Sequence, residues 1–164
     1  MNFVMRRGGV LLLLSLLAAC STSGRPGLAT KYRPMNIFGG YSEKLIEPGL
    51  WKVSGGSNGM AEVGFGRDVA AYRAAEIIKA AGFSHMQIVD QRGATRTVSV
   101  GGGGGRPAGE NLDLWVRGTN DPAAPLDCRA KNAASCATID VADLMMRLRP
   151  RLALPPEGAA PPLP

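Results

Sequence analysis

A single histidine, His85, stands in the 164-residue chain. Catalysis of the serine–histidine–acid kind needs an imidazole beside its nucleophile, so this scarcity counts against it. His85 begins a strand-like stretch beside a helix end and reads as a packing or surface residue. No Gly-x-x-x-x-Gly-Lys occurs, and Gly55-Gly56-Ser57-Asn58-Gly59 matches Gly-x-Ser-x-Gly in spacing alone. The glycines of "GGSNGMAEVGFGRD" read as turn and bend residues, because Gly64-Phe65-Gly66 lacks the third glycine of a dinucleotide loop. Glu43, Glu62 and Glu76 supply carboxylates of the type used in glycoside hydrolysis, but nothing in their spacing pairs any two of them. Runs of basic residues are missing as well. The 19 Lys and Arg exceed the 13 Asp and Glu by six, but they are scattered among the acids. This describes a solvated surface and excludes the clustered footprint of a nucleic-acid binder. The residues imply no catalytic site, no cofactor and no metal.

Long hydrophobic runs are also absent. The longest, residues 8–19, is about a dozen residues, and a spanning helix needs roughly 20. A short start carrying Arg6 and Arg7 precedes it, and the small residues Ala18 and Ala19 follow. This order suits a secretory signal peptide. The stretch "LLSLLAACSTSG" contains the tetrad Leu17-Ala18-Ala19-Cys20, which resembles the lipobox of bacterial lipoproteins. The resemblance implies cleavage before Cys20 and acylation of Cys20. Each buried methylene then contributes about 0.8 kcal/mol, and two chains hold a protein to a bilayer where one is marginal. An ordinary signal peptide cut at or after Ala19 is the rival reading. In lipoproteins of this pattern an aspartate after the cysteine retains the chain at the inner membrane. Ser21 in that place implies the outer membrane, with the domain facing the periplasm. Loss of Arg6 and Arg7 with the leader would leave 17 basic against 13 acidic side chains, a net +4.

Of three cysteines, Cys128 and Cys136 remain, eight positions apart, with no Cys-x-x-Cys. In an oxidising compartment the pair reads as a disulfide, stabilising by about 2–3 kcal/mol through chain entropy. Free thiols, or half of a metal site, are the alternatives; zinc would want about four ligands.

The rest of the chain organises itself around composition. Residues 20–40 are rich in Ser, Thr, Gly and Pro and read as a flexible tether. Residues 150–164 carry five prolines among the last ten and read as a disordered, polyproline-like tail. Residues 41–149 suffice for one small periplasmic domain. Within it, Ala70, Ala74, Ile77, Ile78 and Ala81 recur at helical spacing. They predict a helix over 67–81, with Asp68 near its start and Gly82-Phe83 as a Schellman ending. The alanines predict that it lies close against a sheet. Strands are expected at 50–55, 84–90, 94–100 after a turn at Gly93, and along "NLDLWVRG". A short amphipathic helix is expected over 140–148, capped by Thr138 or Asp140. The expected fold is α+β, a two-layer sandwich of a mostly antiparallel sheet of about four strands with one main and one C-terminal helix.

Five groups of residues carry a further resemblance: Gly40-Tyr41-Ser42-Glu43, Asn58-Gly59, Arg73-Ala74-Ala75-Glu76, Gly82-Phe83 and the strand 86–89. Over about residues 32–92 the chain resembles a group of small Gram-negative envelope lipoproteins of unknown function. It departs where Gly64 and Gly66 interrupt what is often a longer polar helix start. The resemblance implies fold and location, and no activity.

One polar set stands out: Tyr41, Glu43, Arg73 and Glu76. Arg73 and Glu76 sit three apart on the predicted helix and can pair, and Arg73 can reach Glu43. The set reads as a structural clasp or an interaction site. The function expected is a non-catalytic, lipid-anchored role, structural or in binding an envelope protein, with the bilayer as a partner through Cys20. A periplasmic small-ligand or glycan binder using Trp115 or Tyr41 is the alternative.

Overall fold

The structure, a computed structural model, describes residues 28–102 and 104–156. The lipobox and Cys20 lie outside these residues, as do 157–164 of the proline-rich end. The elements run β1 (Gly39–Glu47), β2 (Leu50–Ser57), α1 (Phe65–Ala80), β3 (His85–Val100), β4 (Gly104–Thr119), β5 (Ala137–Asp140) and α2 (Val141–Arg151). The strands form one open, wholly antiparallel sheet in the order β1-β2-β4-β3-β5. The α+β class, the main helix and the C-terminal helix are as the sequence predicts.

Local chemistry explains most of the boundaries. Pro48 and Gly49 join β1 to β2, and Gly49 at φ 78° takes the position that a type II turn reserves for glycine. α1 ends in the predicted Schellman motif: the Phe83 amide donates to the Ile78 carbonyl and the Gly82 amide to that of Lys79, with Gly82 left-handed. Asp140 caps α2, its Oδ1 accepting from the Asp143 amide at 2.8 Å.

Three expectations need correction. The sheet has five strands, and β1 and β5 were not among the stretches expected to be strands. The strands expected at 84–90 and 94–100 are one, since Gly93 makes no turn and stays in register opposite Leu112. Residues 28–38, read as tether, pack on the domain: Thr30 is buried, its hydroxyl donating to the Phe38 carbonyl, and Tyr32 joins the core. At the other end, α2 continues through Arg151, and Leu152 is buried beyond it.

Both helices cover one face. Val53, Leu114 and Val116 of the sheet meet Val69, Ala70, Ala74 and Ile78 of α1, and Leu144, Met145 and Leu148 of α2 close the layer. Helix and sheet approach most closely at Gly55, where a Cβ would lie 2.2 Å from the Gly66 carbonyl oxygen and 2.6 Å from the Ala70 nitrogen. The small-residue face of α1 permits this contact. The opposite face of the sheet is partly covered by the segment 120–136. There the Gln87 amide donates to the carbonyls of Ala124 and Pro125, and a disulfide joins Cys128 to Cys136.

Candidate functional site

The predicted polar set assembles on the helix side of β1. Pairing of Tyr41 with Gly55 and of Glu43 with Val53 turns both side chains toward α1. Arg73, one turn beyond the close approach at Ala70, faces them. Its Nη2 donates to Glu43 Oε1 at 2.7 Å and its Nη1 to Glu76 Oε2 at 2.9 Å. The guanidinium carbon stands 4.8 Å from the centre of the Tyr41 ring. Hydrogen bonds donated to Glu43 hold the Arg73 proton well above the usual guanidinium range, against the opposing effect of burial.

Tyr32 completes the cluster, and the sequence reading missed it. Its ring lies 4.9 Å from Tyr41 and 5.2 Å, edge-on, from Tyr72, so all three tyrosines of the chain gather here. Its hydroxyl donates to Glu76 Oε2. The available signal was an aromatic within a segment rich in Ser, Thr, Gly and Pro. Burial, then the bond to Glu76, push the Tyr32 phenol far above its ordinary value of 10.0. The folded state therefore holds this proton more tightly than the unfolded chain. The associated stability is complete below pH 10 and is lost as pH rises above it. We predict that Tyr32→Phe makes stability less sensitive to pH above about 10, measured by urea denaturation across alkaline pH.

Elsewhere, residue types that suggest chemistry are otherwise committed. Ser84 Oγ lies 2.9 Å from His85 Nδ1, and Asp140 Oδ2 lies 3.9 Å from His85 Nε2. The carboxylate is thus beyond hydrogen-bond reach of the ring, and its other oxygen caps α2. Glu43 and Glu76 share the Arg73 guanidinium, while Glu62 sits in the loop before α1, outside their cluster. Among the described residues no group of three His, Cys, Asp or Glu gathers to hold a metal.

Trp115 faces away from both helices, opposite Lys52 and Asp90 in register. α2 therefore does not cover it. The Lys52 ammonium lies 5.1 Å and the Arg92 guanidinium carbon 5.0 Å from the ring. Lys52 in turn bonds Asp113 at 2.8 Å, and Ser54 donates to Asp113 at 2.6 Å. Burial works to raise the Asp113 carboxyl, and the bonds from Lys52 and Ser54 overcome it, leaving the group below its usual value.

Compared with protein-family models, with curated proteins and with solved structures, the chain finds no match.

Proposed function

We propose that this chain is a non-catalytic lipoprotein of the Gram-negative envelope, held to the outer membrane by acylated Cys20, whose periplasmic domain has a structural or protein-binding role. The observation that supports a structural role is that the charges of the polar cluster pair with one another. Arg73 bonds both carboxylates and lies over Tyr41, while Tyr32 bonds Glu76. These contacts fasten residues 28–43 to α1, which supports a structural role for the set. The leader and the Leu17-Ala18-Ala19-Cys20 tetrad support the anchor. The bridged cysteine pair suits an oxidising compartment.

Two tests follow. The mature chain should begin at Cys20 carrying acyl chains, by mass spectrometry, and Cys20→Ala should move it from the membrane to the soluble fraction. In-cell crosslinking should capture one envelope protein reproducibly; recovery of lipid and abundant porins alone would count against a specific partner. For the clasp, we predict that Arg73→Ala costs about 1–2 kcal/mol, the sum of part-exposed ion pairs and a cation–π contact. The melting temperature should fall while the crosslinked partners stay the same. Loss of partners with stability intact would make the cluster an interaction site.

A second reading, a small-ligand or glycan binder, draws on an open groove of 500 Å³ on the outer sheet face, lined in part by Ser54, Arg92, Arg96, Asn111 and Asp113. It predicts a change in tryptophan fluorescence with muropeptides.

A further inference from the structure

Exposed apolar side chains are ordinary when scattered, but gathered at one end of a domain they call for a cover. Among the described residues the two most exposed large apolar side chains are Ile37 at 92 % and Val63 at 86 %. Met60 and Val98 are also more than half exposed. The topology brings all four to one end of the sheet. β1 begins at Gly39 and β2 ends at Ser57, and these two residues are cross-strand partners. The turn bearing Ile37 immediately precedes Gly39. The loop bearing Met60 and Val63 immediately follows Ser57 and returns to Gly66, where a Cβ would lie 3.1 Å from the Ser57 nitrogen. Both ends of this loop are thus held at Ser57, and its middle projects outward.

The third component is a hairpin arm. The β2–β4 ladder stops at Gly56 and Asn111, while β3 and β4 go on pairing with each other as far as Val100 and Gly104. The arm therefore runs past the end of β2 at this same end of the molecule. Its stretch 93–109 contains arginines, five consecutive glycines and no acid. The tip from Ser99 to Gly105 is free of charge, with Arg106 opposite Val98 and Arg96 nearer the base, an order that suits an apolar medium bordered by phosphates.

The chain enters the domain here as well. Asn58 Nδ2 donates to the Leu28 carbonyl at 2.6 Å, and the Asn58 amide donates to Thr30 Oγ1 at 2.9 Å. Leu28 follows Cys20 by eight residues. Eight residues reach at most about 29 Å. An anchor at Cys20 therefore confines this end of the domain close to the bilayer, where even weak contacts act at high effective concentration.

We propose that this end is a membrane-facing surface: Ile37, Met60, Val63 and the Val98 arm seat in the interfacial layer of the phospholipid bilayer, with Lys31 and Arg96 at the headgroups. Both basic side chains are exposed, and Arg96 lines a groove shared with Ile37. The proposal rests on acylation of Cys20 and adds a fixed orientation to it. Apolar side chains of interfacial segments reach about 5–10 Å into the headgroup boundary, and nearby cations add attraction to anionic lipid. The opposite end, with the Pro48-Gly49 turn, then faces the periplasm.

The test uses the full acylated protein in vesicles of phosphatidylethanolamine and phosphatidylglycerol with brominated acyl chains. Ile37→Trp and Val98→Trp serve as reporters, and Leu45→Trp, toward the other end of β1, is the control. Each is read as the emission added to that of Trp51 and Trp115. The expected result is a blue shift and loss of most of the added emission at positions 37 and 98, with neither at 45. Acylated, vesicle-bound protein whose three reporters are all unquenched, or all quenched alike, would overturn the docking surface and leave the anchor standing. A mature chain without acyl groups on Cys20 that does not bind vesicles would overturn the anchor, and the docking surface with it.

Discussion

Gly55→Ala will destabilise the domain by about 3 kcal/mol or more, the upper part of the range for overpacking a well-filled core. The side chain added is one methyl, so the effect comes from what surrounds it. A Cβ at this position meets the Gly66 carbonyl oxygen at 2.2 Å, the Ala70 nitrogen at 2.6 Å and the Ala70 Cβ at 2.8 Å. Two of these are backbone atoms of α1, which have no rotamer to change. The helix must lift from β2, and every apolar contact between helix and sheet loosens with it. The residue's own backbone supplies no strain, since Gly55 lies in an ordinary strand, paired with Tyr41 on one side and Leu112 on the other. Urea denaturation reads the outcome as a lower midpoint. A loss under about 1 kcal/mol would mean that α1 slides on the sheet without cost and that Gly55 is not its seat.

The seat is visible in outline in the amino-acid sequence. Ala70, Ala74 and Ile78 recur at helical spacing, and small residues on that face imply close approach; Gly55, the partner that makes the approach possible, carries no such local mark. The Schellman ending was legible because Gly82 and Phe83 satisfy a rule that depends on neighbours alone. β1 was not. Its sequence GGYSEKLIE has no apolar face, because the inward position at Glu43 is occupied by a charge that Arg73, thirty residues later, neutralises. Gly93 misled for a related reason. A glycine between polar residues reads as a turn, and only the ladder to β4 keeps it extended. The site divides in the same way. Arg73 and Glu76 are three apart on one helix, and their pairing follows from helix geometry. Tyr32 stands in a segment whose composition gives no reason to fold, and its order comes from Tyr41, Tyr72 and Glu76, all distant in sequence.

Tyr72→Ala will cost about 3–5 kcal/mol, the range for removing a buried aromatic side chain. α1 buries mostly small residues, Gly66, Ala70, Ala74 and Ala75, so Tyr72, Ile78 and Val69 supply most of its core volume. Tyr72 is 1 % exposed and the largest fully buried side chain of the domain. It also connects layers: its ring meets Tyr32 edge-on, and the Arg149 guanidinium of α2 lies 6.0 Å from its centre. Truncation therefore leaves a cavity under the N-terminal segment and withdraws the surface on which Tyr32 rests. That connection separates the prediction from simple loss of volume. If Tyr72 supports the clasp, Tyr32→Ala should cost less in the Tyr72→Ala background than in the native chain, by about 0.5–1.5 kcal/mol, the size expected for an aromatic pair. Strict additivity would show instead that the segment 28–38 is held by Glu76, Thr30 and Asn58 without help from the core, and that the clasp and the hydrophobic layer are energetically separate.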